Sequence, residues 1–192
     1  MGPNRRTEPT TPSKGEVASH TRRTLVERTY LRRAIPADVT AITALEERCF
    51  DEPWTALAFE QFMEAAGFLV AVEPASTMQA DHPLDGRLRG YTVTTASSTN
   101  PRTVAHVRNL AVDPSVRRSG IGSHLLTAAL GRYHRAGYDR ARLEVRASNG
   151  GAISLYRRFG FETIDRRPGY YGDGEAAVVM VGPLSGPTAD DR

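Results

Sequence analysis

Cysteine is all but absent from this 192-residue chain, with Cys49 alone. A single thiol can form no intramolecular disulfide, and a cysteine metal cluster is excluded. Thiol catalysis would rest on Cys49 itself, which falls in a helical pattern with Ile42, Leu45 and Phe50, the setting of a small buried hydrophobe. Long apolar runs are missing too: none approaches the ~18 residues of a membrane span, and the polar N-terminus carries no apolar core of a secretory signal. A cytoplasmic location is therefore expected. The N-terminal stretch also lacks aromatic residues and hydrophobic periodicity.

What is present is charge, unevenly placed. Net charge is +3, yet Arg5, Arg6, Lys14, Arg22, Arg23, Arg28, Arg32 and Arg33 against Glu8, Glu16 and Glu27 give the first 33 residues +5. Residues 1–27, rich in Pro, Thr, Ser and Arg, are expected to be a disordered basic tail, and 185–192 a second polar one. The tail is either a solvated leader or a source of weak, salt-sensitive attraction to RNA, and without aromatics it has nothing to stack on bases. Between the tails, residues 28–184 suit one domain.

Periodicity orders that domain as β-α-α-β-β-β-α-β-α-β-β, an α/β protein with a mixed sheet and helices on both faces. Thr29 to Arg33 read as the first strand, and Asp38 as the cap of a helix with Val39, Ile42, Leu45 and Cys49 on one face. A polar lip of Glu46, Glu47, Asp51, Glu52, Pro53 and Trp54 leads to a second helix through Phe59, Phe62 and Met63. That lip is either a solvated helix end or a place to recognise a cationic substrate. Strands follow at 67–73, 88–97 and 103–112, with Asn100-Pro101 turning the last two. A helix ended by Gly137 comes next, then the strand Ala141 to Ala147 with Leu143 and Val145 on one face and Arg142, Glu144 and Arg146 on the other. Ser148-Asn149 caps a helix carrying Ile153, Tyr156 and Phe159, ended by Gly160, and strands at 161–165 and 176–181 close the order.

One stretch carries chemistry on its face. After the strand ending at Asp113-Pro114, Arg117-Arg118-Ser119-Gly120-Ile121-Gly122-Ser123 opens a helix. Glycines permit close backbone approach, and the free N–H groups and dipole of a helix start favour an anion, so Arg-x-x-Gly-x-Gly is a cradle for a pyrophosphate. A tight turn with a close helix contact would read the same way. The third glycine of a dinucleotide fingerprint is missing, as is the Gly-Lys-Ser/Thr of a Walker loop.

In this context the chain resembles the GNAT superfamily of acetyl-CoA-dependent N-acetyltransferases over about residues 29–182. Leu143-Glu144-Val145-Arg146-Ala147-Ser148-Asn149, Ala152-Ile153-Ser154-Leu155-Tyr156, Phe159-Gly160-Phe161 and Tyr170-Tyr171 look like the ribosomal-protein-alanine N-acetyltransferases (RimI-like) and archaeal N-terminal acetyltransferases. Pro53-Trp54-Thr55 resembles the bacterial members; His106-Val107 and Gly169-Tyr170-Tyr171 look archaeal. The resemblance implies Glu144 as proton acceptor and Tyr156 as proton donor. It also implies acetyl-CoA held by Leu110, Ala111 and Val112 along its pantetheine, by Arg117, Arg118, Ser119, Gly120, Ile121, Gly122 and Ser123 at its pyrophosphate, and by Asn149. Family members often read Glu-Asp-Ala where this chain has Glu175-Ala176-Ala177, so any role of that aspartate is lost.

The chemistry is consistent with those residues. Acetyl transfer needs a neutral amine, and a protein α-amine with a pKa of ~7.7–8.0 needs only a modest base. Glu144 is an unusual strand residue whose bland alternative is an ion pair with Arg142 or Arg146. Tyr156, pKa ~10, suits a departing thiolate of pKa ~8.5, or else is a core aromatic. A backbone N–H near Ala111 or Val112 would hold the oxyanion. Trp54, Tyr170 and Tyr171 are expected to clamp the first residues of a peptide substrate or simply to pack their loops, and His106 is either a second proton relay or, as a lone strand histidine is more often, structural. No metal is expected. The function expected is direct transfer of acetyl to a protein N-terminus, of the ribosomal-protein-alanine type. The alternatives are a GNAT acting on lysine or a small amine, and a non-catalytic acyl-CoA-binding or RNA-associated module.

Overall fold

The computed structural model describes residues 26, 28–75, 86–99 and 102–184. The basic tail up to residue 25, the C-terminal tail, most of the connection after Pro74 and the expected Asn100-Pro101 turn lie outside the described residues. Strands are β1 (Tyr30–Arg33), β2 (Leu69–Pro74), β3 (Gly86–Thr99), β4 (Arg102–Val112), β5 (Arg140–Arg146), β6 (Glu162–Arg167) and β7 (Ala177–Pro183). Helices are α1 (Val39–Cys49), α2 (Ala56–Glu60), α3 (Ile121–Arg135) and α4 (Gly150–Arg158). The seven strands form one sheet in the order β1-β2-β3-β4-β5-β7-β6, antiparallel throughout except for the parallel β4–β5 pair. The expected element order and mixed sheet are both observed.

Alternation along β2 distributes the core. Val70 and Val72 face Ile42, Leu45 and Phe59 of α1 and α2, while Leu69 and Ala71 face Ile121, Leu125 and Ala129 of α3. On that second face, α3 and α4 together cover β4, β5 and β7 through Leu126, Leu130, Tyr156 and Phe159 against Ala105, Leu143 and Met180. Glycines in the left-handed region stop α3 and α4 as expected, Gly137 at φ +86 and Gly160 at φ +75.

Two local readings change. Asp38 does not cap α1 forward; its carboxylate reaches back to the Ile35 N–H at 2.9 Å and accepts a bidentate pair from Arg32 at 2.6 and 2.7 Å. The Arg32 fork is the stronger partner, being charged. The second helix stops at Glu60, and Phe62 and Met63 continue it only as i→i−3 turns, with N–H bonds to Phe59 and Glu60.

One irregularity organises the site. The β3–β4 register steps from Val93↔Asn109 to Thr94↔Val107, which leaves Arg108 as an extra residue in β4. A bulge of one residue inverts which side chains face which layer. Ala105 and Val107 thus lie in the α3/α4 core, whereas Ala111 lies in the α1/α2 core and Leu110 packs against the α3/α4 side. Pairing with β5 spans only Ala105↔Ala141, His106↔Arg142 and Val107↔Leu143, and ends where the bulge begins.

Candidate functional site

Beyond Val107, β4 keeps its β3 partners but has none in β5, so the stretch Leu110, Ala111 and Val112 borders a wedge between two diverging strands. The wedge leads to the glycine loop. Asp113 ends β4 by accepting the Ser115 N–H at 3.0 Å and its hydroxyl at 2.6 Å. Its burial opposes ionisation, but the Ser115 bonds and nearby arginines outweigh it and hold the carboxyl below its usual range. Arg117 donates to the Val112 carbonyl at 3.3 Å.

The loop itself is built for an anion. Arg118 sits at φ +61, a left-handed conformation rare for a side-chain-bearing residue, and Gly120 at φ +98. The Ser119 hydroxyl is buried with no hydrogen-bond partner. Gly120 precedes the 15 residues of α3 with no side chain capping the first turn. Exposed N–H groups, left-handed turns and an orphaned hydroxyl at one helix start are what a bound phosphate would satisfy. Gly122 faces Leu110, Val112 and Leu155, all 3.5–3.8 Å from where its Cβ would lie, so the first turn of α3 is close to both the β4 end and α4. Asn149 caps α4 as expected, its carboxamide oxygen accepting the Ala152 N–H at 3.0 Å.

The other end of the wedge holds a carboxylate. Glu144 follows Leu143, the last β5 residue paired with β4, and so stands where the strands part. His106 Nε2 lies 2.6 Å from one of its oxygens, Arg142 2.7 Å from the other and Arg167 4.0 Å away. The His106 bond and the arginine charge hold the carboxyl below the usual glutamate range despite partial burial. The ion pair with Arg142 considered from sequence is present; Arg146 turns elsewhere. His106, read as structural, is thus a direct partner of Glu144.

Tyr156 is buried beside Phe161, its ring centroid 5.8 Å away, and burial pushes its phenol up, with the nearby Tyr171 adding to the effect. Tyr171 is half-buried, its phenol pushed up to about 12 by burial, with Glu144 among the charges it feels. Tyr170 is exposed and meets Tyr171 edge-on at 5.2 Å. The guanidinium of Arg146 lies 4.1 Å from the Tyr171 ring centroid and reaches Asp173 at 2.7 Å, Glu175 at 2.9 Å and Glu52 at 3.7 Å.

In the polar lip Glu47, Asp51 and Glu52 are exposed, but Glu46 departs from expectation. Glu46 is 1% exposed, not solvated; its carboxylate accepts from the Tyr91 hydroxyl, from Asn109 Nδ2 at 2.9 Å and from the Trp54 N–H at 3.2 Å. Trp54 does not stand free: it packs on Phe59 and Phe62, both with ring centroids at 5.5 Å. Cys49 is half-buried, with its thiol near the Val112 carbonyl at 3.6 Å and pushed up by burial, which fits the hydrophobe and not a nucleophile. Among the described residues no His, Cys, Asp and Glu side chains cluster to hold a metal ion, and no helix is long and apolar enough to cross a membrane.

A seven-stranded sheet split between its parallel strands, with an anion cradle at one end of the split, defines an acyltransferase architecture. Residues 39–161 match the family model "Acetyltransferase (GNAT) family", and the chain belongs to that family. It is 42% identical over 80 residues to the ribosomal-protein-bS18-alanine N-acetyltransferase of Escherichia coli, a match covering 40% of this chain and 54% of that one. It is 39% identical over 114 residues to a mycothiol acetyltransferase of Salinispora arenicola, covering 58% of this chain and 31% of that one. The chain thus spans about half or less of the length of these curated relatives. Among solved structures, Ard1 from Thermoplasma volcanium superposes with a TM-score of 0.71 at 26% identity, covering 82% of this chain and 99% of that one.

Proposed function

We propose that this protein transfers acetyl from acetyl-CoA directly to the α-amine of a protein N-terminus, of the ribosomal-protein-alanine type. The observation that carries the reading is the position of the Glu144–His106 pair at the point where β4 and β5 part, with the glycine-loop start of α3 toward the other end of the split. Acetyl-CoA would supply the activated acyl thioester. Arg117 to Ser123 would hold its pyrophosphate, and the β4 edge at Leu110 to Val112 its pantetheine, with the Asn149 amide nitrogen within the same set.

Glu144, held ionised, is a weak base alone; its 2.6 Å contact with His106 makes the pair a two-membered acceptor for the amine proton, directly or through one water. Tyr156 keeps its phenolic proton at neutral pH because burial favours the neutral form. That proton is therefore available to a departing thiolate. Tyr170 and Tyr171 flank the acceptor, while Trp54 shapes the opposite loop from within its aromatic cluster. Two finer elements complete the reading: a cytoplasmic location, and weak salt-sensitive attraction of the basic tail to RNA.

The likeness to a mycothiol acetyltransferase favours a second reading, a small-molecule amine as acceptor. Turnover of acetyl-CoA with peptides differing in their first two residues, their Nα-blocked lysine-containing copies, and small primary amines separates the cases. The α-amine reading expects turnover with free N-termini and loss of at least 90% on blocking. Undiminished rates on blocked peptides, or turnover confined to small amines, overturn it; acetyl-CoA binding without any turnover makes the chain a binding module.

A further inference from the structure

We propose that Arg146 is a positioning residue that ties the two loops flanking the acceptor entrance to one another. This rests on the reading of that face as the acceptor side. Arg146 ends β5, two residues beyond Glu144, and its side chain is only 20% exposed. One loop, between α1 and α2, reaches it through Glu52; the other, between β6 and β7, reaches it through Asp173, Glu175 and the face of Tyr171. The loops also touch directly: a Cβ on Gly172 would lie 2.5 Å from a Glu52 carboxylate oxygen, so that carboxylate rests on the Gly172 backbone. Glu175 extends the tie by accepting the Ser148 N–H at 2.7 Å, next to the cap of α4.

Only a planar, forked cation can stack on an aromatic ring while pairing with carboxylates on two sides, so lysine cannot replace it. Glu52 and Asp173 are half-exposed, and ion pairs this open contribute little to global stability. What they fix is the spacing of the entrance and the aspect of Tyr171.

The test has two readouts on Arg146→Ala, Arg146→Lys, Glu52→Ala and the Arg146→Ala/Glu52→Ala double variant. Amide hydrogen exchange, which needs no substrate, is expected to quicken at least fivefold at Tyr171 and Gly174 in Arg146→Ala, whose N–H groups bond to Glu175 and Tyr171 carbonyls, with α3 unchanged. In steady-state kinetics the acceptor KM is expected to rise about tenfold in Arg146→Ala and several-fold in Arg146→Lys, with the acetyl-CoA KM within twofold. The double variant is expected to be no worse than Arg146→Ala alone. Unchanged loop exchange, equal rises in both KM values, full rescue by lysine, or additive effects of Glu52→Ala overturn the proposal. Quickened exchange in a protein that acetylates no acceptor would leave the tie standing and defeat the functional reading instead.

Discussion

Replacing Glu46 with alanine is expected to destabilise the protein by about 2–4 kcal/mol. The carboxylate is the shared acceptor for the Tyr91 hydroxyl, the Asn109 amide and the Trp54 N–H. Tyr91 is fully buried, so its hydroxyl would carry the whole cost of an unmet donor, about 1–3 kcal/mol; the other two, partly buried, add roughly 1–2 kcal/mol together. Against this, removing a buried carboxylate recovers some desolvation cost, since burial pushes the Glu46 carboxyl up. Glu46→Gln is the control: its amide keeps an oxygen for one donor, and both the Tyr91 hydroxyl and the Asn109 carboxamide can turn to accept, so about 1 kcal/mol or less is expected. The pH dependence has a definite sign. A carboxyl raised in the folded state stabilises below the unfolded pKa of about 4.3, and that contribution is lost as pH rises through the folded value. The cost of Glu46→Gln should therefore be largest in acid and shrink toward neutrality. Urea unfolding followed by circular dichroism from pH 4 to 8 measures both effects. A loss under 1 kcal/mol for the alanine variant, or a glutamine cost that grows with pH, would refute the reasoning.

Three further outcomes follow from the split sheet and the loop beside it. Glu144→Gln is expected to lower kcat/KM by about 10²–10³ below the pKa of the acceptor amine, with the deficit narrowing above pH ~8 as the amine sheds its proton unaided, while Tyr156→Phe lowers kcat with little change in acceptor KM; unchanged kcat/KM across the pH series in both would remove them from the chemistry. Gly120→Ala forces a side chain to φ +98 with its Cβ 3.1 Å from Val26, and should cost about 1–2 kcal/mol and weaken acetyl-CoA binding in calorimetry at least tenfold.

The glycine stops at 137 and 160, the alternation of β5 and the start of α3 after Gly120 were legible because each is written in a few adjacent residues. Glu46 was not: its partners Tyr91 and Asn109 lie 45 and 63 residues away, so in sequence it is one more carboxylate in a polar helix end. The contact of His106 with Glu144 was hidden for the same reason, since strand pairing with Arg142 is what brings the two together. Arg108 carries no bulge signature in its side chain or neighbours, yet it decides that Asn109 turns toward Glu46 while Leu110 turns toward α3 and α4.

The seam at that bulge also bears on how such a protein can change. Three residue pairs join the half of the sheet that carries β4 and the glycine loop to the half that carries Glu144 and the β6–β7 loop. On the proposed reading, substitutions in the second half would remodel which amine is admitted without disturbing the β4 backbone on the other side. Loss of the one extra residue, Arg108, has no such freedom. It would extend the β4–β5 pairing, invert the residues from 109 to 112 and detach Glu46 in a single event. Diversity among descendants of this chain should therefore accumulate on the far side of the seam and stop at it.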